Sequence, residues 1–301
     1  RMETMHAERF EFGANWRRFL ETVDERRIAA AVASLQSMLR VERLEGCRFL
    51  DVGCGSGLFS LAAHRLGASV HAFDYDPASV ACSRELQRRF GGQSPDWTIE
   101  AGSALDACYL AQLPQADVVY SWGVLHHAGE MWRAIDLVAQ RVAPGGLFCL
   151  AIYNDQGRTT SVWRCVKRLY LRLPRWLRPA LVTLVGMSLA CHRIAGMVFS
   201  SLVHLLTGHS PLQPIRELAA RAQQPDPRGM HRWYDLVDWV GGWPFEVARP
   251  EELFDFLRER QCALERLKTC GGGMGCNEFV IRRGSTPNSR PTVTPQPAAD
   301  L

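Results

Sequence analysis

Three glycines, Gly53, Gly55 and Gly57, fall within five residues of the run FLDVGCGSGLFSLAA (49–63), between an apolar segment carrying Asp51 and a small-residue segment of helical character. A strand, a glycine turn and a helix in that order aim the free N–H groups of a helix start at a ligand. Glycine there admits positive φ and close approach of the ligand to the backbone. The spacing is G-x-G-x-G rather than the G-x-G-x-x-G/A of a dinucleotide turn, although the turn alone leaves dinucleotide binding open. A second apolar run ends at Asp74, about twenty residues on, where an acid is placed to accept hydrogen bonds from both hydroxyls of a ribose. Asp76-Pro77 reads instead as the cap and first-turn proline of the following helix.

The elements that must hold these residues alternate. RFLDV, SVHAFD, TIEA, DVVYSW and GLFCLAIY read as strands, separated by helices near Leu58–Leu66, Pro77–Phe90 and Met131–Val142. That rhythm means an α/β fold with a parallel sheet covered on both faces. Ahead of it, Trp16, Phe19, Leu20, Val23, Ile28, Val32, Leu35 and Leu39 recur at helical spacing and predict one helix over Asn15–Leu39. Between Asn154 and Arg232 the rhythm stops, and a basic aromatic stretch is followed by the apolar ALVTLVGMSLACHRIAGMVFSSLVHLLTG. His192 and Arg193 divide that stretch into pieces of about a dozen residues, short of the roughly twenty a spanning helix needs. The expectation is a helical insertion over the functional edge of the sheet, with peripheral membrane contact as the secondary reading. A helix over Pro250–Gln261, a strand near Leu264–Thr269, a glycine loop and the strand NEFVIRR complete the fold. The expected divisions are a helical cap (1–46), a ligand-binding core (47–155), the insertion (156–230), the end of the core (231–283) and a disordered tail (284–301) rich in Pro, Ser and Thr.

With 301 residues and 47% hydrophobic content the chain can bury a substantial core. The net charge of +4 comes with acids and bases mixed along most of its length, so no nucleic-acid partner is expected. The ten cysteines form no repeated CxxC pattern, and the first thirty residues lack a signal-peptide core. Cytoplasmic location, no metal site, and Cys262, Cys270 and Cys276 as small buried hydrophobes are the expectations.

The ordered set FLDVGCGSGLFSLAA, VHAFDYDP, EAGSALD, DVVYSWGVLHH and APGGLFCLAIYND resembles the motifs of class I S-adenosylmethionine-dependent methyltransferases, especially the branch of the ubiquinone-pathway O-methyltransferases. The resemblance spans about Arg48–Asp155 and, more loosely, the final hairpin. It implies a Rossmann-like, doubly wound seven-stranded sheet, mostly parallel with an antiparallel last strand. It further implies that Gly53, Gly55 and Gly57 line the methionine part of S-adenosylmethionine, Asp51 helps hold its amino group, Asp74 holds the ribose, and Cys54 and Tyr75 also bind the cofactor. Ser103 and Ala104 would border the adenine, with the backbone or Asp106 meeting its amine, and Trp122 would pack on the cofactor.

Transfer of a methyl group from sulfonium is an in-line displacement, so the protein positions the nucleophile and, for a hydroxyl, removes its proton. The candidates lie beyond the strand ends. His126, just past the fourth strand, is the expected base, with His127 and Tyr153 as further catalytic candidates. Asn15, Trp16, Asn154, His231, Tyr234, Asp235, Trp239 and Asn277 are expected to line the acceptor pocket. The leading function is methylation of an oxygen of a small or lipid-like metabolite. Transfer to nitrogen or carbon, a catalytically silent cofactor-binding module, and a nicotinamide-dependent dehydrogenase are the alternatives.

Overall fold

The computed structural model describes residues 9–92, 94–223, 226–271 and 273–284; the expected tail from 285 onward lies outside the described residues. Seven strands form one sheet: β1 (Arg48–Val52), β2 (Ser69–Asp74), β3 (Trp97–Ala101), β4 (Ala116–Trp122), β5 (Val142–Tyr153), β6 (Cys262–Lys268) and β7 (Cys276–Arg283). Their spatial order is β3-β2-β1-β4-β5-β7-β6. β1 through β5 run parallel, and β7 pairs antiparallel with both β5 and β6. This is the Rossmann-like sheet expected from the sequence. The order reverses between β1 and β4, so their C-terminal ends open the crevice in which ligands of such sheets sit.

β1 and β4 are apolar almost throughout because both of their faces are buried. One face packs on α2 (Glu25–Leu39), α3 (Leu58–Arg65) and α4 (Pro77–Leu86), through Ile28, Leu35, Leu61 and Leu86. The other packs on α5 (Ala107–Gln112), α6 (Met131–Ala139) and α11 (Pro250–Arg258), through Leu110, Ile135, Val138 and Leu253. The short α5 has no apolar period long enough to read from sequence. Its start is fixed by Asp106, whose carboxylate accepts the N–H groups of Cys108 and Tyr109.

The helix expected over Asn15–Leu39 is two helices, α1 (Phe12–Leu20) and α2. Asp24 breaks it by capping α2, accepting the N–H of Arg27 at 2.9 Å. The apolar period continues across the break because both helices face the same core. Met131–Val142 and Pro250–Gln261 end three residues early, at Ala139 and Arg258, and the helix from Pro77 widens into a π-turn over Gln87–Gly91.

The insertion differs most from expectation. It holds α7 (Arg158–Arg172), α8 (Arg178–Leu206) and α9 (Gln213–Gln223), and α8 runs unbroken for 29 residues through His192 and Arg193. Two basic side chains interrupt an apolar count but do not break a helix, since arginine is a good helix former. α7 and α8 brace α10 (Arg232–Gly241) through Tyr170, Val182 and Val240.

Lys167 is fully buried in α7, its Nζ donating to the Trp239 carbonyl and lying 4.7–5.5 Å from the ring centres of Phe245, Trp239 and Tyr153. Burial lowers its pKa from 10.5 to about 7. Between pH 7 and 10 the unfolded chain then binds the extra proton, so this residue makes stability fall as pH drops toward 7. Lys167→Met is expected to gain on the parent by on the order of 2–4 kcal/mol at pH 7, a difference that shrinks toward pH 9. Urea unfolding at the two pH values measures it.

Candidate functional site

The glycine turn closes on protein as well as on ligand space. Gly53 and Gly55 have φ of +76° and +53°. A Cβ at Gly53 would lie 2.3 Å from Val124, and one at Gly55 would lie 2.9 Å from the indole nitrogen of Trp16. The N-terminal helix therefore lays Trp16 directly across the turn. Gly57 caps α3 against Ser83 and does not line the cavity, so its glycine is required by helix packing.

Asp74 ends β2 with both oxygens engaged by backbone: Oδ2 accepts Gly55 N–H and Oδ1 accepts Asp76 N–H, each at 2.9 Å. Each carboxylate oxygen keeps a second lone pair, so the group ties the two turns together and still has acceptor capacity. Asp76 is the cap expected, with Ala78 N–H on Oδ1 and Gly13 N–H on Oδ2. The second bond fastens α1 to the start of α4.

These turns open into a cavity of about 830 Å³ at the C-terminal ends of β1, β2, β4 and β5. Asp51, Gly53, Cys54, Gly55, Asp74 and Tyr75 line it, as do Ser103, Ala104 and Trp122. Asp106 does not, being occupied as the α5 cap. Burial raises the pKa of Asp51 to about 7, against the Ser60 hydroxyl that donates to it at 2.5 Å, and raises Asp74 to about 6.

On the acceptor side the two histidines divide differently from expectation. His126 is fully buried, stacked on Tyr153 with ring centres 3.8 Å apart, and its Nδ1 accepts the Tyr153 N–H. It does not line the cavity, and burial depresses its pKa well below the usual value. One residue later the turn Leu125–His127 brings His127 to the wall. Its Nδ1 lies 2.5 Å from the Pro244 carbonyl, which can only accept, so Nδ1 carries the proton and Nε2 the lone pair. Burial, with Lys167 adding to it, lowers the His127 pKa to about 3. Tyr153 lines the cavity with its hydroxyl pushed well above 10 by burial.

Of the expected acceptor residues, Trp16, Asp235 and Trp239 line the cavity; Asn15, Asn154, His231, Tyr234 and Asn277 do not. Their polarity serves the scaffold. Asn15 donates to the Tyr234 carbonyl and to Asp238, and His231 caps α10. Asn277 donates to Asn154 and accepts Cys270 N–H, holding the loop between β6 and β7. Several lining residues went unforeseen, among them Asp238 and Arg228. Asp238 lies one turn beyond Asp235, and their three-residue spacing on one helix face was the available signal. Arg228 sets its guanidinium 3.1 Å from the centre of the Trp122 ring, and nothing in its sequence surroundings marks it. The insertion's three helices do not line the cavity; they support α10, which supplies Asp235, Asp238 and Trp239.

Residues 50–148 match the family model described as a methyltransferase domain. Over that segment the chain is similar to class I S-adenosylmethionine-dependent methyltransferases. This chain is 34% identical over 110 residues to a ubiquinone biosynthesis O-methyltransferase of Chelativorans sp., the match covering 36% of this chain and 42% of that protein. It is 35% identical over 114 residues to a ribosomal protein L11 methyltransferase of Xanthomonas campestris, covering 36% and 33%. The matches thus span less than half the length of these relatives. Among solved structures it is similar to the magnesium protoporphyrin IX methyltransferase of Synechocystis PCC 6803, at 14% identity and a TM-score of 0.47 over 86% of this chain and 83% of that one.

The cavity beside the matched segment suits S-adenosylmethionine. Asp51 is a buried acid and Asp74 a half-buried one, and neither is paired with a cationic side chain among the described residues. A ligand carrying an ammonium, a sulfonium and a ribose supplies the partners they lack. The sign of the pH dependence follows. Both acids accept best when ionised, and both are protonated more readily than free carboxylates, so affinity should rise as pH increases from 5.5 through about 7. Calorimetric titration of S-adenosylhomocysteine across that range tests this; a flat affinity would remove both acids from the ligand.

Proposed function

We propose that the chain is an S-adenosylmethionine-dependent methyltransferase that methylates an oxygen of a small, lipid-like acceptor. The observation that carries this reading is Asp235. It lines an aromatic-walled cavity shared with Trp122, Tyr153, Trp239 and Trp243, and its carboxylate makes no hydrogen bond among the described residues. The cofactor, when bound, supplies an electrophilic methyl group. The chain then has to orient the acceptor, exclude water and take up a proton.

Magnitudes choose between the candidate bases. Burial raises Asp235 to about 6, which leaves it ionised at neutrality and still basic enough to share a hydroxyl proton. His127, at about 3, is roughly a thousandfold weaker as a base. Its Nε2 lone pair suits orientation of a hydroxyl, while Tyr153 stays protonated and acts as a donor. Asp238 accepts a hydrogen bond from Asn15, and burial beside Asp235 pushes its pKa up. The resemblance of the core to ubiquinone-pathway O-methyltransferases supports an oxygen acceptor.

Incubation with S-adenosylmethionine and a panel of hydroxylated aromatic and isoprenoid-chain acceptors tests the proposal. The expected result is formation of an O-methyl product together with S-adenosylhomocysteine. An N- or C-methyl product would overturn the choice of atom, and cofactor binding without turnover on any acceptor would overturn catalysis.

A further inference from the structure

α8 is 29 residues long with a mean hydropathy of 1.6 over its most apolar window, yet only 6% of that window is buried. Its first turns are used: Leu181, Val182 and Val185 pack on α10, and Gly186 lies against Leu236. From Met187 onward the side chains have little to cover. Ile194, Val198, Phe199, Leu202, Leu205 and Leu206 are all more than half exposed. At 3.6 residues per turn they spread over about 140° of the helix, wider than the roughly 100° apolar stripe of a helix docked on one protein surface.

The charge around this helix is one-sided. From Gln156 to Arg216 the sequence contains nine Lys and Arg residues and no Asp or Glu, so the mixed charge of most of the chain does not extend to this segment. Lys167 is buried, but Arg164, Arg168 and Arg172 recur every four residues along one exposed face of α7. Trp176, 77% exposed, stands in the turn from α7 to α8, and tryptophan favours the boundary between headgroups and acyl chains.

We propose that α8, flanked by the arginines of α7, docks this protein on the surface of a lipid bilayer rich in anionic headgroups. The helix lies in the interface rather than across it. After Leu206 the chain must return to α10 on the core, and α9, with 11 residues, reaches about 17 Å, against about 30 Å of hydrocarbon. α10 connects the docked helix to the acceptor cavity, so an amphiphilic acceptor would arrive beside its point of use. Docking itself requires neither catalysis nor the identity of the acceptor.

Cosedimentation with phosphatidylglycerol vesicles and with phosphatidylcholine vesicles tests the proposal. The parent is expected to bind the anionic vesicles and to be released by salt. Arg164→Gln with Arg172→Gln should weaken that binding roughly tenfold or more. Phe199→Gln with Leu202→Gln should abolish it, with S-adenosylhomocysteine affinity unchanged as the sign of an intact core. Failure of the parent to bind anionic vesicles would overturn the proposal. So would a lipid-free dimer that the Phe199 and Leu202 substitutions dissociate, or displacement of the vesicles by transfer RNA acting on the same arginines. Methyl transfer in detergent-free solution, measured alongside, separates loss of docking from loss of the catalytic reading.

Discussion

Asp74→Ala is expected to weaken S-adenosylmethionine binding by about 1.5–3 kcal/mol, the range for hydrogen bonds to a charged group. The residue has two functions in the fold. Its outer lone pairs are the proposed ribose acceptors, and its inner ones hold Gly55 N–H and Asp76 N–H. Alanine would therefore also leave two backbone donors at the turn without their partner, and stability should drop by about 1–3 kcal/mol. Asp76→Ala is the comparison for backbone bonding alone, because Asp76 likewise accepts two backbone N–H groups, capping α4 and anchoring Gly13, and is read as a cap and not as the ribose acceptor. That variant should lose stability with a smaller change in affinity. Calorimetry on both variants, beside denaturant unfolding, decides the matter. An unchanged dissociation constant in folded Asp74→Ala would remove the residue from the ribose and weaken the cofactor assignment with it.

The parts of this protein legible in sequence are those governed by local pattern. The strands from Arg48 to Tyr153 show because buried parallel strands are short apolar runs between turn residues, and the cradle shows because a glycine turn, Asp51 and Asp74 stand at strand ends. What sequence hides is the direction in which a side chain is sent. His126 and His127 are chemically identical neighbours, and a single turn of helix sends the first under Tyr153 and the second to the cavity wall. Asn154 and Asn277 are 123 positions apart in the chain and hydrogen-bond across β5 and β7, so each looked available until the register paired Ile152 with Asn277. α8 escaped for a different reason. Counting apolar residues between charges measures membrane insertion, whereas helix continuity depends on backbone propensity, and the two criteria part at His192 and Arg193.

Asp235→Asn is expected to lower turnover by roughly a hundredfold to ten-thousandfold, the usual contribution of a general base, with cofactor affinity nearly unchanged. Asparagine keeps the size of the side chain and a hydrogen-bonding oxygen, so the loss would report proton uptake rather than packing. The pH profile supplies a second, independent reading. A base works when deprotonated, so the parent rate should climb as pH rises through about 6, where Asp235 ionises, and level off above it. The Asn variant should lack that limb. His127, already neutral above about pH 3, contributes no limb between pH 5 and 8. His127→Ala should lower the rate through poorer orientation while leaving the limb in place. His126→Ala, which removes a fully buried ring stacked on Tyr153, should act mainly on stability. A rate limb that survives Asp235→Asn and disappears in His127→Ala would transfer the role of base to the histidine. Full activity in both variants would mean that the acceptor oxygen reaches the site already ionised.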